Sequence, residues 1–119
     1  MNMIQAIRIC FSKYAQFEGR ARRAEFWWFT FFLILFGYGI DLVYTMIWGE
    51  YEISSIEALL LLAIYIPGIA VGVRRLHDIN LSGWWHLLSF LPVVGWIVLM
   101  ALWAMSGNKG ENRFGSDPI

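Results

Sequence analysis

The sequence predicts an all-α integral membrane protein with three transmembrane helices and an N-terminal amphipathic interfacial helix. Hydrophobic residues make up 59% of the chain and charged residues 15%, whereas soluble domains are about 45–50% apolar and about 25% charged. Three apolar segments, at residues 26–48, 56–73 and 84–105, are long enough for helices that cross a bilayer. None of them alternates as a transmembrane strand does. We therefore expect one membrane domain over residues 1–119.

The first predicted element is a short helix at residues 3–14. Its apolar side chains recur at helical spacing, while polar side chains such as Arg8 and Lys13 fall largely on the other face. A helix of this kind is suited to the headgroup layer of a membrane. The same periodicity is compatible with an ordinary helix that packs on the bundle. Gly19 ends the segment. Three arginines precede the first span: Arg20, Arg22 and Arg23.

The first predicted transmembrane helix covers residues 26–48. These 23 residues are about 34 Å long as a helix, which is enough to cross the roughly 30 Å hydrocarbon layer. Asp41 is their only formal charge, and a charge inside a span is a candidate functional residue. Because Trp48 follows seven residues later, Asp41 lies about 10 Å from the outer boundary. We expect it to hydrogen-bond Tyr38 or Tyr44 rather than to carry ions.

The second predicted helix covers residues 56–73 and follows a loop at 49–55 that contains two acids and no base. Pro67 lies inside this helix and lacks the N–H that the backbone ladder requires, so a kink is predicted. Gly68 and Gly72 have the spacing of closely packed helix pairs. Because glycine is common in membrane helices, we assign that spacing no role.

The third apolar segment, residues 84–105, leaves two interpretations open. It carries no formal charge, and Ser82 is a candidate N-cap before it, so a transmembrane helix is predicted. Pro92-Val-Val-Gly95 interrupts the segment, and a re-entrant hairpin that turns there is the alternative. The arms of such a hairpin would have 8 and 10 residues, which is too short to span. Residues 106–119 are polar and rich in glycine, which predicts turns.

The uneven placement of basic residues predicts the orientation in the membrane. Five Lys or Arg residues precede the first span, none lies in the first loop, two follow the second span and two lie in the tail. Lys and Arg are concentrated in cytoplasmic segments. With three spans, a cytoplasmic N-terminus therefore places seven basic residues inside and two outside. In the hairpin alternative, the tail would also be cytoplasmic.

A polar stretch follows the second span: Val73-Arg-Arg-Leu-His-Asp-Ile-Asn-Leu-Ser-Gly-Trp-Trp85. If the helix continues into it, Arg74 and Asp78 are four residues apart and can pair. One interpretation is an anion site, in which the guanidinium groups bind phosphate, Asp78 orients one of them and His77 adds a donor. The other interpretation is that Arg74 and Arg75 only stop the transfer of the chain through the membrane.

Several motifs occur in order along nearly the whole chain. They are Phe17-x-Gly19-Arg20-x-x-Arg23, Arg74-Arg75-Leu76-His77-Asp78, Ser82-Gly83-Trp84-Trp85, Pro92-x-x-Gly95 and Gly110-x-Asn112-Arg113-Phe114-Gly115-x-Asp117-Pro118. In this pattern the chain resembles the bacterial inner-membrane family catalogued as domain of unknown function 805. The resemblance implies a helical fold and a location in the bacterial plasma membrane, and it implies no activity.

Four further residues join the predicted site. Arg20 and Arg23 are about one helical turn apart near the same membrane face, whereas Arg22 is interpreted as a charge that only sets topology. Asn112 and Arg113 lie in a tail that, by its composition, is either a solvated terminus or a loop that presents N–H groups and an arginine to an anion. The resemblance favours the loop, because the motif includes both residues.

The sequence therefore predicts a small multi-pass inner-membrane protein that is a non-enzymatic binding module. Its expected partners are the bilayer, an anionic phospholipid headgroup, an acidic segment of a membrane protein or a further copy of the chain. The alternative is an oligomeric transporter or channel subunit that uses Asp41 and the kinks at Pro67 and Pro92. One cysteine and two histidines form no recognisable nucleophile or metal cluster, so no catalytic residue, cofactor or metal is predicted. A net charge of zero gives no signal for nucleic acid.

Overall fold

The computed structural model describes residues 1–49 and 55–118. The regular secondary structure in these two ranges consists of helices. The elements are, in order, α1 (Met3–Ser12), α2 (Arg23–Trp48), α3 (Ser55–Asp78), a 3₁₀ helix (Gly83–Phe90) and α4 (Val94–Ala104). These ranges contain no strand, only a single antiparallel bridge between Asn112 and Gly115. The all-α prediction is confirmed. Residues 50–54 of the predicted first loop lie outside the described residues.

Two helices, α2 and α3, are long and apolar enough to cross a membrane. α2 has 26 residues, which is about 39 Å at the α-helical rise. It begins at Arg23, three residues before the predicted span, and Glu25 in its first turn interacts favourably with the positive end of the helix dipole. It ends at Gly49, which has a φ of 77°. That left-handed geometry terminates a helix at little steric cost in glycine.

α3 continues five residues beyond the end of the second predicted span. The extension, residues 74–78, contains no glycine or proline, so nothing in it interrupts the helix. Arg75 in the last turn complements the negative end of the helix dipole. Half of the polar stretch is therefore the end of a long helix, and residues 79–82 connect it to the next element. Pro67 lies inside α3, and the kink expected there stays a prediction.

The third predicted span is not confirmed, because residues 84–105 are divided between the 3₁₀ helix and α4. Eight residues in the first arm and eleven in the second give lengths of about 16 Å each, roughly half of the hydrocarbon thickness. Between the arms, Val93 has a φ of 66°, and the Val94 N–H donates to the Pro92 carbonyl at 2.8 Å. Residues 83–104 thus form a hairpin, with the turn that the sequence left as an alternative.

The hairpin packs closely on itself and on α3. Gly95 at the start of the second arm lies directly against the backbone carbonyl of Leu88 in the first arm. The Trp103 indole N–H donates to the carbonyl of Gly72 in α3 at 3.2 Å, and a Cβ placed on Gly72 would be 3.0 Å from Nε2 of His86. Gly72 therefore permits a close approach of the hairpin, a role that the sequence analysis did not assign to it.

α1 packs along the first turns of α2. Ala6 and Cys10 are its buried residues, and the Phe11 ring meets the edges of Phe29 and Phe32 at centroid distances of 5.6 and 6.3 Å. α1 is thus part of the helix packing. The position in the headgroup layer that its amphipathic pattern suggested stays a prediction.

The apolar core lies at one end of the molecule. Its buried members come from α1, the segment before α2, the first turns of α2 and the end of α3: Cys10, Ala21, Phe26, Phe29 and Val71. Toward the other end, the large apolar side chains of α2 and α3 are mostly exposed, which is the surface that lipid tails solvate well. Tertiary packing is therefore concentrated at the end that also carries the polar stretch.

The hairpin makes the substitution Gly95→Ala destabilising. The new Cβ would overlap the Leu88 carbonyl oxygen and lie 2.9 Å from Leu91 Cβ, whereas a Cβ on Gly39 in α2 meets nothing within 4 Å. We expect Gly95→Ala to lower the free energy of unfolding by about 1–3 kcal/mol and Gly39→Ala to leave it unchanged or raised. Thermal melting of the two variants in mild detergent measures this difference. Equal melting temperatures would contradict the hairpin.

Candidate functional site

Asp78, the last residue of α3, is bound by two arginines. Arg20 approaches from the segment between α1 and α2, and its Nε and Nη2 atoms both lie 2.8 Å from Asp78 Oδ1. Arg75, one turn earlier in α3, donates from Nη1 to Asp78 Oδ2. The three side chains are 5% exposed or less. These residues form a buried ion triad, the Asp78 clamp.

The other N–H groups of Arg20 hold the C-terminal tail. Nη1 donates to the carbonyls of Gly110 at 2.5 Å and Gly115 at 3.3 Å, and Nη2 donates to the carbonyl of Asn108 at 2.5 Å. Hydrogen bonds from an ionised donor are stronger than neutral ones. Arg20 thus fastens the segment before α2 to a tail that is 88 to 95 residues away in sequence.

Arg75 holds the end of the hairpin in the same way. Its Nε donates to the Trp103 carbonyl at 3.0 Å, its Nη2 to the Met105 carbonyl and its Nη1 to the Ala21 carbonyl at 3.2 Å. The last carbonyls of a helix lack partners within the helix, and Arg75 supplies them at the end of α4. Because Arg20 and Arg75 direct their donors to the protein itself, the geometry argues against either one as a direct ligand of an external phosphate.

The tail closes over Asp78 as it leaves the hairpin. The Asn108 N–H donates to the Asp78 carbonyl at 2.8 Å. Gly107 lies so close to the Asp78 carboxylate that a Cβ at this position would overlap it. Only glycine permits this approach, and the approach seals the carboxylate beneath the tail.

Arg74 forms a second buried ion pair, with a carboxylate of α2. Its Nη1 lies 2.6 Å from Oε1 of Glu25 in α2, so the predicted pairing of Arg74 with Asp78 is wrong. Arg74 faces α2, whereas Asp78 faces Arg20 and the tail. Cys10 Sγ lies 3.8 Å from the same Glu25 oxygen. Burial, and then the charge of Glu25, raise the pKa of the Cys10 thiol to about 12, so the thiol is un-ionised at neutral pH.

His77, Asn112 and Arg113 dock the tail. His77 Nδ1 lies 2.9 Å from the Gly19 carbonyl, which assigns the proton to Nδ1, and its ring stacks on Phe114 at 4.0 Å. Asn112 Nδ2 donates to the His77 carbonyl at 2.9 Å. Arg113 donates to the Asn80 carbonyl at 3.0 Å and lies over the Phe114 ring. The tail motif is therefore a folded cover on the end of α3.

A cleft of about 420 Å³ opens beside the clamp, between the start of α2 and the tail. Three cationic side chains line it, Arg22, Arg23 and Lys109, together with two carboxylates, Asp78 and Asp117. Because cations outnumber carboxylates in its walls, we call this cavity the basic cleft. Arg23 is exposed, and among the described residues its side chain donates only to the Ala104 carbonyl, at 3.4 Å. The Nε of Arg22 is buried without a hydrogen-bond partner in the described part of the chain. Arg22, interpreted from the sequence as a topological charge, therefore faces the cleft, while Arg20 is withdrawn into the clamp.

Asp41 stands apart from this assembly. It lies 18 residues after the start of α2, about 27 Å along the helix axis. The Thr45 hydroxyl donates to the Asp41 backbone carbonyl at 2.8 Å. No hydrogen bond joins the Asp41 carboxylate to Tyr38 or Tyr44 in the ranges that the structure describes, so the predicted bond is not confirmed. Tyr44 stacks on Trp48 instead, and Tyr38 is exposed.

The structure thus brings together nearly all of the predicted site residues. Seven of them share the end of α3 and its covers: Arg20, Arg74, Arg75, His77, Asp78, Asn112 and Arg113. Arg23 lines the adjoining basic cleft. The sequence analysis missed Glu25, because its pairing with Arg74 spans 49 residues and no local pattern indicates it. It also did not predict that Arg22 lines the cleft. The first span has no Ser, Thr, Asp or Asn to cap its start, and this absence was a sequence signal that the helix terminus is left open.

Comparison with known proteins agrees with the resemblance seen in the motifs. The family model described as "Protein of unknown function (DUF805)" matches residues 14–116. Inner membrane protein YhaI of Escherichia coli (strain K12) is 41% identical, covering 88% of this chain and 87% of its own. Inner membrane protein YhaH of the same strain is 40% identical, with 88% of both chains covered. Uncharacterized protein YiiR is 36% identical over 85% of this chain and 84% of its own. No solved structure matches.

The clamp makes Asp78→Asn strongly destabilising. The substitution leaves two guanidinium groups buried without a counter-charge, and the loss of one partner from a buried ion pair costs about 3–5 kcal/mol. We expect a lower melting temperature and rapid tryptic cleavage in the released tail at Lys109 and Arg113. Glu111→Gln, an exposed charge loss in the same tail, is the matched control. Identical stability and tail protection in both variants would show that the clamp does not hold the tail.

Proposed function

The chain belongs to the family described as Protein of unknown function (DUF805), and from this premise we propose that it is a non-enzymatic inner-membrane module that binds an anionic group in the basic cleft. The proposal rests on one difference among the arginines: some are buried in ion pairs, and others line the cleft. Arg20, Arg74 and Arg75 are buried in ion pairs. The cations of the cleft form no salt bridge within the described residues, and they border a cavity of about 420 Å³.

The same geometry supports a cytoplasmic location for the cleft. Because the hairpin returns the chain to the end of α3, the tail lies beside the start of α2. In this topology the three segments that carry the nine Lys and Arg residues, before α2, at the end of α3 and in the tail, are all on the same side of the bilayer. A distribution of nine to none follows the preference of basic residues for the cytoplasm better than the seven to two of a three-span topology.

In the membrane, α2 and α3 cross the bilayer and the hairpin enters it from the cytoplasmic side. Each arm reaches about 16 Å, and both ends of the hairpin are fastened on the polar side by Ser82 and Arg75. Irregular backbone at this depth is tolerable only where protein covers it; the first arm covers Gly95 through the Leu88 carbonyl, while Leu91, Val93 and Val94 of the turn are exposed. The protein is then a two-span protein with one half-inserted hairpin.

Cys10 and His77, the two groups with potential reactivity at this end of the molecule, are engaged in structural contacts. Cys10 is buried, and its pKa of about 12 keeps the thiol protonated, whereas a nucleophilic cysteine requires the thiolate. His77 directs Nδ1 to a backbone carbonyl and lies flat against Phe114. We therefore assign binding rather than catalysis to this end of the molecule.

The proposal predicts that binding depends on charge at the cleft and not on charge in general. In Arg22→Gln/Arg23→Gln, retention of phosphatidylglycerol relative to phosphatidylcholine with the same acyl chains should fall about tenfold or more, because ionic hydrogen bonds contribute about 1.5–3 kcal/mol each. Native mass spectrometry of the purified protein measures this ratio. Arg8→Gln/Lys13→Gln removes the same charge from α1 and should retain the preference. An equal loss in both double variants, or none in either, would refute a specific cleft.

A further inference from the structure

An apolar groove continues from the basic cleft along α2. It has a volume of about 690 Å³ and lies between the first turns of α2 and the end of α4, with Trp27, Trp28, Phe31 and Ala104 in its walls. The groove and the basic cleft have Arg23 and Ala24 in common. A charged cavity and an apolar channel therefore meet at the first turn of a transmembrane helix.

We propose that one anionic phospholipid of the cytoplasmic leaflet occupies both spaces, with its phosphate in the basic cleft and one acyl chain in the apolar groove. This inference rests on the proposed function, since it assumes that the cleft binds an anion, and it names the class of molecule that carries that anion. The occupant is a membrane lipid rather than a soluble phosphate or an acidic protein segment.

Charge and the N-terminus of α2 both favour a phosphate in the basic cleft. Arg22 is the N-cap residue of α2 and makes no side-chain capping hydrogen bond. The first N–H groups of a helix have no intrahelical acceptor, and the helix dipole favours an anion there. Ala24, in this first turn, lines the cleft together with three cationic side chains and two carboxylates, one of which, Asp78, is already neutralised by Arg20 and Arg75. A phosphate in the cleft would accept from those side chains and complete the start of the helix.

The Nε of Arg22 has no acceptor among the described residues, as is also true of Nε and Nη2 of Arg74. A buried donor without a partner costs free energy, and because this Nε has less than 1 Å² of accessible surface, the Arg22 side chain has to turn toward the cleft before a phosphate there can accept from it. Arginine binds phosphate through two parallel N–H donors. Nε with one Nη is such a pair.

The direction and depth of the groove fit an acyl chain. From Ala24 to Phe31 the groove follows α2 for seven residues, about 10 Å along the helix axis, and α2 runs from here into the bilayer. Trp27 and Trp28 lie at the boundary where tryptophan is enriched in membrane proteins. A chain that descends from a phosphate at Arg23 would therefore lie parallel to α2. Tethering of head to chain gives the phosphate a high local concentration at the cleft, which a free phosphate lacks.

The first test asks whether the acyl chain is required. The purified protein, loaded with dioleoylphosphatidylglycerol, is incubated with 10 mM sn-glycerol 1-phosphate, about a thousandfold excess over lipid, and the bound lipid is counted by native mass spectrometry. We expect the lipid to remain, because the soluble head lacks the groove contacts and the tether. Displacement of the lipid by glycerol phosphate would overturn the inference and would leave the proposed anion site intact.

The second test blocks the groove without touching the cations. Ala104→Trp fills the wall of the groove, and Ala101→Trp places the same side chain at an exposed position of the same helix, outside the groove. We expect Ala104→Trp to lower phosphatidylglycerol retention about tenfold and Ala101→Trp to leave it unchanged.

The outcomes of the two tests separate the inference from the proposed function. Unchanged retention in Ala104→Trp, with loss in Arg22→Gln/Arg23→Gln, rejects the acyl chain and keeps the anion site. No loss in either variant rejects both. A change of Ala104→Trp from dimer to monomer, with its lipid retained, would assign the groove to a second copy of the chain and overturn the inference.

Discussion

The contact on which the polar end of this protein depends is a carboxylate buried between two guanidinium groups. Removing the Asp78, Arg20 and Arg75 charges from water is costly, and only a complete set of partners offsets that cost. The triad is complete because four separate segments meet at it: the chain before α2, the end of α3, the end of α4 and the tail. Each segment therefore contributes a charged side chain or carbonyl acceptors to one buried network.

This constraint explains why the molecule is built unevenly along its length. In a bilayer, helices gain little from apolar contacts with each other, because lipid tails are equally apolar. The far halves of α2 and α3 accordingly expose most of their large side chains. At the polar end, ion pairs and bonds to free backbone carbonyls provide the stabilisation. The hairpin needs this anchor because neither of its arms can cross the membrane, and Arg75 supplies it at the carbonyls of Trp103 and Met105.

The sequence predicted the features that depend on local composition. The two long spans follow from apolar length, the cap at Ser82 follows from its side chain, and the gathering of the arginines with His77 and Asp78 followed from their placement at one membrane face. The features it did not predict depend on tertiary contacts. Arg74 pairs with Glu25 instead of Asp78 because of how α3 faces α2. The third segment is apolar throughout, so composition alone could not distinguish one spanning helix from two arms. Arg20 and Arg22 look equivalent in the sequence, and only the fold buries one and opens the other to the cleft.

The Asp78 clamp and the basic cleft both require that the tail and the start of α2 lie on the same side of the membrane. The most direct measurement places a single cysteine at Ser116, which is exposed, in a Cys10→Ser background, and labels intact cells with a membrane-impermeant thiol reagent. Trp48→Cys at the end of α2 is the control for the external face. The account predicts that Trp48→Cys is labelled in intact cells, whereas Ser116→Cys is protected until the cells are lysed. Labelling of Ser116→Cys from outside would place the tail across the membrane from Arg20 and would contradict the clamp.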